Sequence, residues 1–227
     1  MARILGLTDA ERDLVTMAVT DAEKTTDGEI VTVVARRSDS YADAALHWAV
    51  LAMLAVAAVA AAFPVLLETL AYPTGDNWGT APSLARLIFA LLIAMIVAFL
   101  AVRYALEYRP LRLALTPHAT RVRRVRRRAL EVFHLGTEAR TKGRVGVLLY
   151  LSLDERRAEI VADEAIHAQV ADEEWGKAMA TLLEHVRAGK PGEGMAAAVA
   201  AIGVVLARHL PKTTDDSNEL PDRVIEL

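Results

Sequence analysis

The chain has no cysteine among its 227 residues. That excludes a disulfide scaffold, a thiolate zinc site, an iron–sulfur cluster and a cysteine nucleophile, and it leaves the redox compartment open. Aromatic residues make up only 5%. With 12 Gly and 8 Pro against 54% hydrophobic residues, neither a collagen-like nor a disordered chain is possible. Charge is missing from two stretches: no Asp, Glu, Lys or Arg occurs from Ala44 to Leu67 or from Leu87 to Val102. Also missing are an Asp-x-Asp motif, a glycine-rich phosphate loop and EF-hand ligand spacing.

The charged fraction of 24% is ordinary for a soluble domain, whereas the mean hydropathy of +0.27 is not. The two uncharged stretches reconcile them. Residues 44–67 give 24 positions with His47 as the one titratable group, and a hydrocarbon core of about 30 Å needs about 20 helical residues. Pro64 falls in the last turn, where a kink is tolerated. The second stretch is 16 residues long, flanked by Arg86 and Arg103 whose side chains can snorkel and lengthen it. Trp78, Tyr104 and Tyr108 stand near the ends, as expected of interfacial rings. The expectation is a transmembrane hairpin over 44–104, its short loop marked by Pro73, Gly75, Gly79 and Pro82.

Orientation follows from the arginines. Residues 103–128 carry Arg103, Arg109, Arg112, Arg121, Arg123, Arg124, Arg126, Arg127 and Arg128 against Glu107 alone. This segment is net +8 in a chain that is net −3 overall. The connecting loop has only Arg86, at its edge. Both termini are therefore expected in the cytoplasm of a two-pass inner-membrane protein, with these nine arginines at the membrane surface against anionic headgroups. Nucleic acid is not an expected partner, because no aromatic residues interleave with the basic ones. No cleavable signal peptide is expected either, since Met1 leads into an acidic amphipathic stretch.

The remaining chain reads as one split α/β domain. Thr8 and Glu11 have capping-box spacing, with Leu7 as staple. Leu7, Ala10, Leu14, Met17, Ala18 and Ala22 predict the buried face of a helix to about Lys24. EIVTVVA from Glu29 has the apolar, β-branched character of a strand covered on both faces. Thr116-Pro117 reads as N-cap and N1 of a helix with Val122, Val125, Ala129, Val132 and Phe133 on one face. Val145–Leu153 is the strongest strand, Asp154-Glu155 its turn, and Arg156–Asp163 a more exposed returning strand. A helix from Asp172 to about Arg187 and an Ala/Val-rich core helix from Met195 to Leu210 follow. The expected fold class is thus α/β, a sheet of at least three strands flanked by helices and interrupted by the hairpin. Its parts are 1–43 and 129–211, with the hairpin at 44–104, a basic juxtamembrane segment at 105–128 and a partly ordered acidic tail at 212–227.

Residues 143–166, GRVGVLLYLSLDERRAEIVADEAI, resemble the hallmark strand–turn–strand region of the TPM domain family. The opening helix, the strand EIVTVVARRS, the helix with Trp175 and the NELP at Asn218–Pro221 fit in order. The likeness is to a bacterial branch that carries a membrane hairpin inside the domain. The resemblance implies an α/β sandwich and, for function, acid phosphatase activity, divalent-cation binding, or assembly and repair of membrane complexes.

Among the residues themselves, carboxylates are the candidate site. Asp154, Glu155, Asp163 and Glu164 are the expected ligands of a hard cation, calcium or magnesium, with Asp172, Glu173 and Glu174 close by in sequence. The same acids have an ordinary explanation at turns and helix starts. Glu164 and His167 share a helical face and read as a surface pair before a transition-metal pair. Arg140, Lys142, Arg144, Arg156 and Arg157 flank the strands and are weighed as an anion site against solvated charge; Ser152 and Thr141 have no adjacent base. The expectation is a non-enzymatic, membrane-anchored interaction module whose partners are the bilayer and other membrane proteins. The alternative is a divalent-metal-dependent phosphatase-like enzyme.

Overall fold

The computed structural model describes residues 6–72, 82–136, 146–213 and 222–227. In chain order the elements are α1 (Asp9–Glu23), β1 (Glu29–Ala35), α2 (Ala42–Ala62), α3 (Pro64–Ala71), α4 (Leu84–Ala105), α5 (Arg109–Leu115) and α6 (His118–Gly136). There follow β2 (Gly146–Ser152), β3 (Arg157–Ala162), α7 (Glu164–His167), α8 (Asp172–Arg187), α9 (Pro191–His209) and β4 (Ile225–Glu226). They form two units: residues 1–39 with 118–227, and residues 40–117.

The first unit is built on a four-stranded mixed sheet in the order β3-β2-β1-β4. All seven residues of β1 and of β2 are buried, as continuous apolar runs with helices on both faces require. They pair in parallel, Glu29 opposite Gly146 through Ala35 opposite Ser152. β3 returns antiparallel to β2 and is only partly buried. The turn between them places Arg156 in the left-handed region at φ 50°.

Alternation along the strands feeds two cores. Ile30, Val34, Val147, Leu149 and Leu151 face α1, α8 and α9. Val31, Val33, Leu148 and Tyr150 face Val125, Ala129 and Phe133 of α6. The capping box of α1 is formed, with Thr8 N–H donating to Glu11 Oε2 at 2.8 Å and Glu11 N–H to Thr8 Oγ1 at 3.2 Å. Its buried face differs from the expected one: Val15, Val19 and Ala22 are inside, while Leu14 and Met17 are 41% and 65% exposed. Small residues dictate this. A Cβ on Gly192 of α9 would lie 2.4 Å from Glu11 Cβ, and one on Gly203 would lie 2.6 Å from Ala22 Cβ. The two helices are too close along this seam for Leu14 or Met17 to enter it.

Two further expectations are corrected. Thr116 does not cap α6; its hydroxyl donates to Arg112 O at 2.8 Å and closes α5 instead. The tail is not merely polar: Ile225 and Glu226 pair in parallel with Val33 and Val34, because the outer edge of β1 offers open backbone groups and Val224 packs against the core. The NELP at 218–221 lies outside the described residues.

The second unit contains α2 and α4, of 21 and 22 residues, packed against each other. α2 ends at Phe63 and Pro64 opens α3 at its first position, where its missing N–H costs nothing. Arg86 stacks on Tyr72, 4.7 Å from the ring centroid. Trp48 donates its indole N–H to Leu115 O at 3.2 Å; Trp78 lies outside the described residues. Among the described residues, three helices are long and apolar enough to cross a membrane: α2, α4 and α9. α9 is over half buried in the core of the first unit, whereas α4 buries no residue and α2 only Ala45 and Ala49.

Candidate functional site

The hairpin of β2 and β3 decides where the candidate carboxylates go. Asp154 and Glu155 stand in its turn, and Asp163 and Glu164 follow the far end of β3. Six residues of strand at about 3.3 Å each put about 20 Å between the two pairs. They do not converge, and among the described residues no group of three or more His, Asp or Glu is arranged to hold a metal ion. The expected four-carboxylate cluster is therefore two separate ends of one hairpin.

Each end has its own bonding. Glu155 is 5% exposed; its Oε1 accepts the N–H of Ser38 at 3.0 Å and its Oε2 accepts the Ser152 hydroxyl. Ser38 Oγ also lies 3.1 Å from the Tyr150 hydroxyl. Burial pushes the Tyr150 hydroxyl above its ordinary range, and the Ser38 hydrogen bond opposes this. Asp163, 4% exposed, accepts the N–H of Gly146 at 2.7 Å, so it closes the start of the β2–β3 ladder. Asp154 is paired at long range, 3.9 Å from Arg36. Glu164 and His167 are both exposed on α7. Glu174 pairs with Arg208 at 3.2 Å, and its Oε1 lies 3.3 Å from His209 Nε2.

The arginines divide between the units. Arg103, Arg109 and Arg112 belong to the second, and the six from Arg121 to Arg128 to the first. Arg112 is structural: it donates to Leu106 O at 2.7 Å and Ser40 O at 2.9 Å, tying down the end of α4. Arg103 pairs with Glu107 at 3.5 Å. On α6, Arg124 pairs with Asp39 at 2.9 Å, while Arg127 and Arg128 share Glu131 at 2.9 and 3.4 Å. Arg121 Nε is buried with no hydrogen-bond partner among the described residues. Arg109, Arg123 and Arg126 present their charge outward. Of the candidate anion site, Arg140, Thr141, Lys142 and Arg144 lie outside the described residues, Arg157 contacts His118, and Arg156 lines a cavity of about 330 Å³ with Arg36 and Arg187.

Two features escaped the sequence reading. One is the Ser38–Tyr150–Glu155–Ser152 network, signalled only by a lone Tyr inside an aliphatic strand. The other is a buried acid pair at the start of β1. Glu23 accepts the N–H of Ile30 at 2.8 Å, and its other carboxylate oxygen is buried without a partner. Burial, reinforced by Glu29, pushes its pKa up to about 8 against the Ile30 hydrogen bond.

Residues 114–205 match the family model of the TPM domain. A TPM domain is found over that segment, 92 of the 227 residues. The match runs from α6 to α9 and takes in β2 and β3, whereas the sheet completing this unit also uses β1 and β4, outside the match. The NMR structure of BA42 protein from the psychrophilic bacterium Bizionia argentinensis is similar over 97% of this chain and 95% of its own, at TM-score 0.55 and 18% identity. That likeness is one of fold. No curated protein sequence matches the chain significantly.

Proposed function

We propose that this TPM-domain protein is a membrane-anchored interaction module. It is a two-pass inner-membrane protein with α2 and α4 as its spans, both termini in the cytoplasm, and the α/β unit acting there in assembly or maintenance of membrane complexes. The observation that carries the reading is the surface of α2 and α4. Helices of 21 and 22 residues, apolar all round, with almost nothing buried, have no reason to be stable facing water. Tyr104 and Tyr108 are exposed at the end of α4, where Arg103 and Arg109 add the positive charge of a cytoplasmic flank.

A binding role fits the site chemistry better than a metal-dependent hydrolase does. Glu155 and Asp163 spend their carboxylates on the turn and the ladder, and the acid pairs stand a strand length apart. A divalent cation, calcium or magnesium, has at most one acid pair at either end to bind.

A C-terminal reporter active only outside the cytoplasm tests the topology, and silence is expected; activity overturns it. Isothermal titration with calcium, magnesium and manganese beside a phosphate-ester assay tests the role. No turnover is expected. Turnover that is lost in Asp163→Ala while Asp163→Asn still folds would replace the binding reading with the enzymatic one.

A further inference from the structure

β3 ends the sheet, and among the described residues no strand lies along its outer edge. The register tells which backbone groups are open. Asp163 N–H donates to Gly146 O at 3.0 Å, so these two form a hydrogen-bonded pair, and the antiparallel alternation puts Val161, Glu159 and Arg157 in the same paired set. The N–H and C=O of Ala158, Ile160 and Ala162 therefore point away from β2. Three consecutive outward-facing positions make a template for another strand, and β3 has no proline to blunt it.

This edge is the floor of a groove of about 540 Å³. One wall is Arg126 and Leu130 of α6, the other Trp175, Gly176 and Met179 of α8, with His167 beside them. Gly176 leaves a gap in the α8 wall, for a Cβ there would meet nothing within 4 Å. The floor lies between two helices, so a second copy of the chain, whose own β3 is flanked in the same way, would clash wall against wall before the edges met. A single extended peptide is narrow enough. Its side chains would alternate between walls of different character. The α8 wall is apolar, while the α6 side is polar, with Arg126 near Glu159 of the floor and exposed Arg123 one turn before it adding a second positive charge.

The geometry points to strand addition at β3 by an extended segment of a partner protein in which apolar residues, facing α8, alternate with acidic residues, facing α6. The inference rests on the interaction-module reading and supplies its partner class. It does not depend on which way the hairpin faces, so the topology reporter and the experiment below fail separately.

The test uses the full chain in detergent micelles and a synthetic seven-residue peptide alternating valine and glutamate. Hydrogen exchange is read at single amides. In the free protein the amides of Ala158, Ile160 and Ala162 should exchange fast beside those of Glu159 and Val161; with peptide they should slow by roughly tenfold or more. A peptide N-methylated at alternate residues, on the edge facing β3, should give no protection. Gly176→Leu, which fills the gap in the wall, should abolish binding while Gly176→Ala retains it, both folding as the parent by circular dichroism. Arg126→Glu should weaken the glutamate peptide and favour its lysine counterpart. Equal binding of the N-methylated peptide, or no protection at those three amides, overturns the proposal. So does protection without peptide that rises with protein concentration, which would assign the edge to a second copy.

Discussion

Adding one methyl group at residue 176 and at residue 203 should have opposite effects. Gly176 lies inside α8 with open space where its Cβ would be, so Gly176→Ala should stabilise the fold by about 0.5–1 kcal/mol through helix propensity alone. Gly203→Ala has the same propensity gain of about 1 kcal/mol, but its Cβ would stand 2.6 Å from Ala22 Cβ. Overpacking costs about 1–3 kcal/mol, and a net loss is expected, read from denaturant midpoints of the two variants against the parent. Glu23 sets a pH dependence. Its carboxyl titrates at about 8 in the folded chain against an ordinary 4.5, so between those values the folded state holds a proton that the unfolded state has released. Stability must therefore fall as pH rises through that window. Burial raises Glu159 in the same direction and adds the same sign. Glu23→Gln, which keeps the acceptor for Ile30 N–H, should flatten the decline in melting temperature between pH 5 and 8. An unchanged slope would assign the dependence elsewhere.

Among the elements, β1, β2, β3, α6, α8 and α9 were legible because their patterns are local: continuous apolar runs for the covered strands, mixed alternation for the edge strand, helical spacing for the rest. The capping box fixed the start of α1, and Thr8→Ala should cost about 1 kcal/mol, measured by chemical denaturation. What the pattern did not reveal was which face of α1 turns inward. Leu14 and Met17 are the larger apolar residues, but Gly192 and Gly203 on α9 set a close approach that only Val15, Val19 and Ala22 can line. That information lies 170 residues or more along the chain, beyond any local window. β4 was missed for a similar reason, since two residues make a strand only against the open edge of β1. Removing residues 222–227 should expose Val33 and Val34 at that edge and lower stability, with faster amide exchange along β1 as the readout. The two carboxylate pairs are neighbours in sequence, but a strand of the length already evident in the sequence separates them.

At the scale of the whole chain, composition resolves into two units with different surfaces. The α/β unit buries its larger apolar residues in two cores; the helices of the other turn Leu54, Phe63, Ile88, Phe89 and Val97 outward, an arrangement suited to lipid. The third apolar helix, α9, differs from the other two in packing against α1 and α8 with over half of its length buried. The absence of cysteine now becomes useful, because any thiol introduced is the only one in the chain. Single variants Thr80→Cys, between α3 and α4, and Glu173→Cys, at the exposed start of α8, can be treated in intact cells with a membrane-impermeant maleimide. Thr80→Cys is expected to be labelled in intact cells and Glu173→Cys only after lysis. Labelling of Glu173→Cys in intact cells, with Thr80→Cys protected, would contradict it.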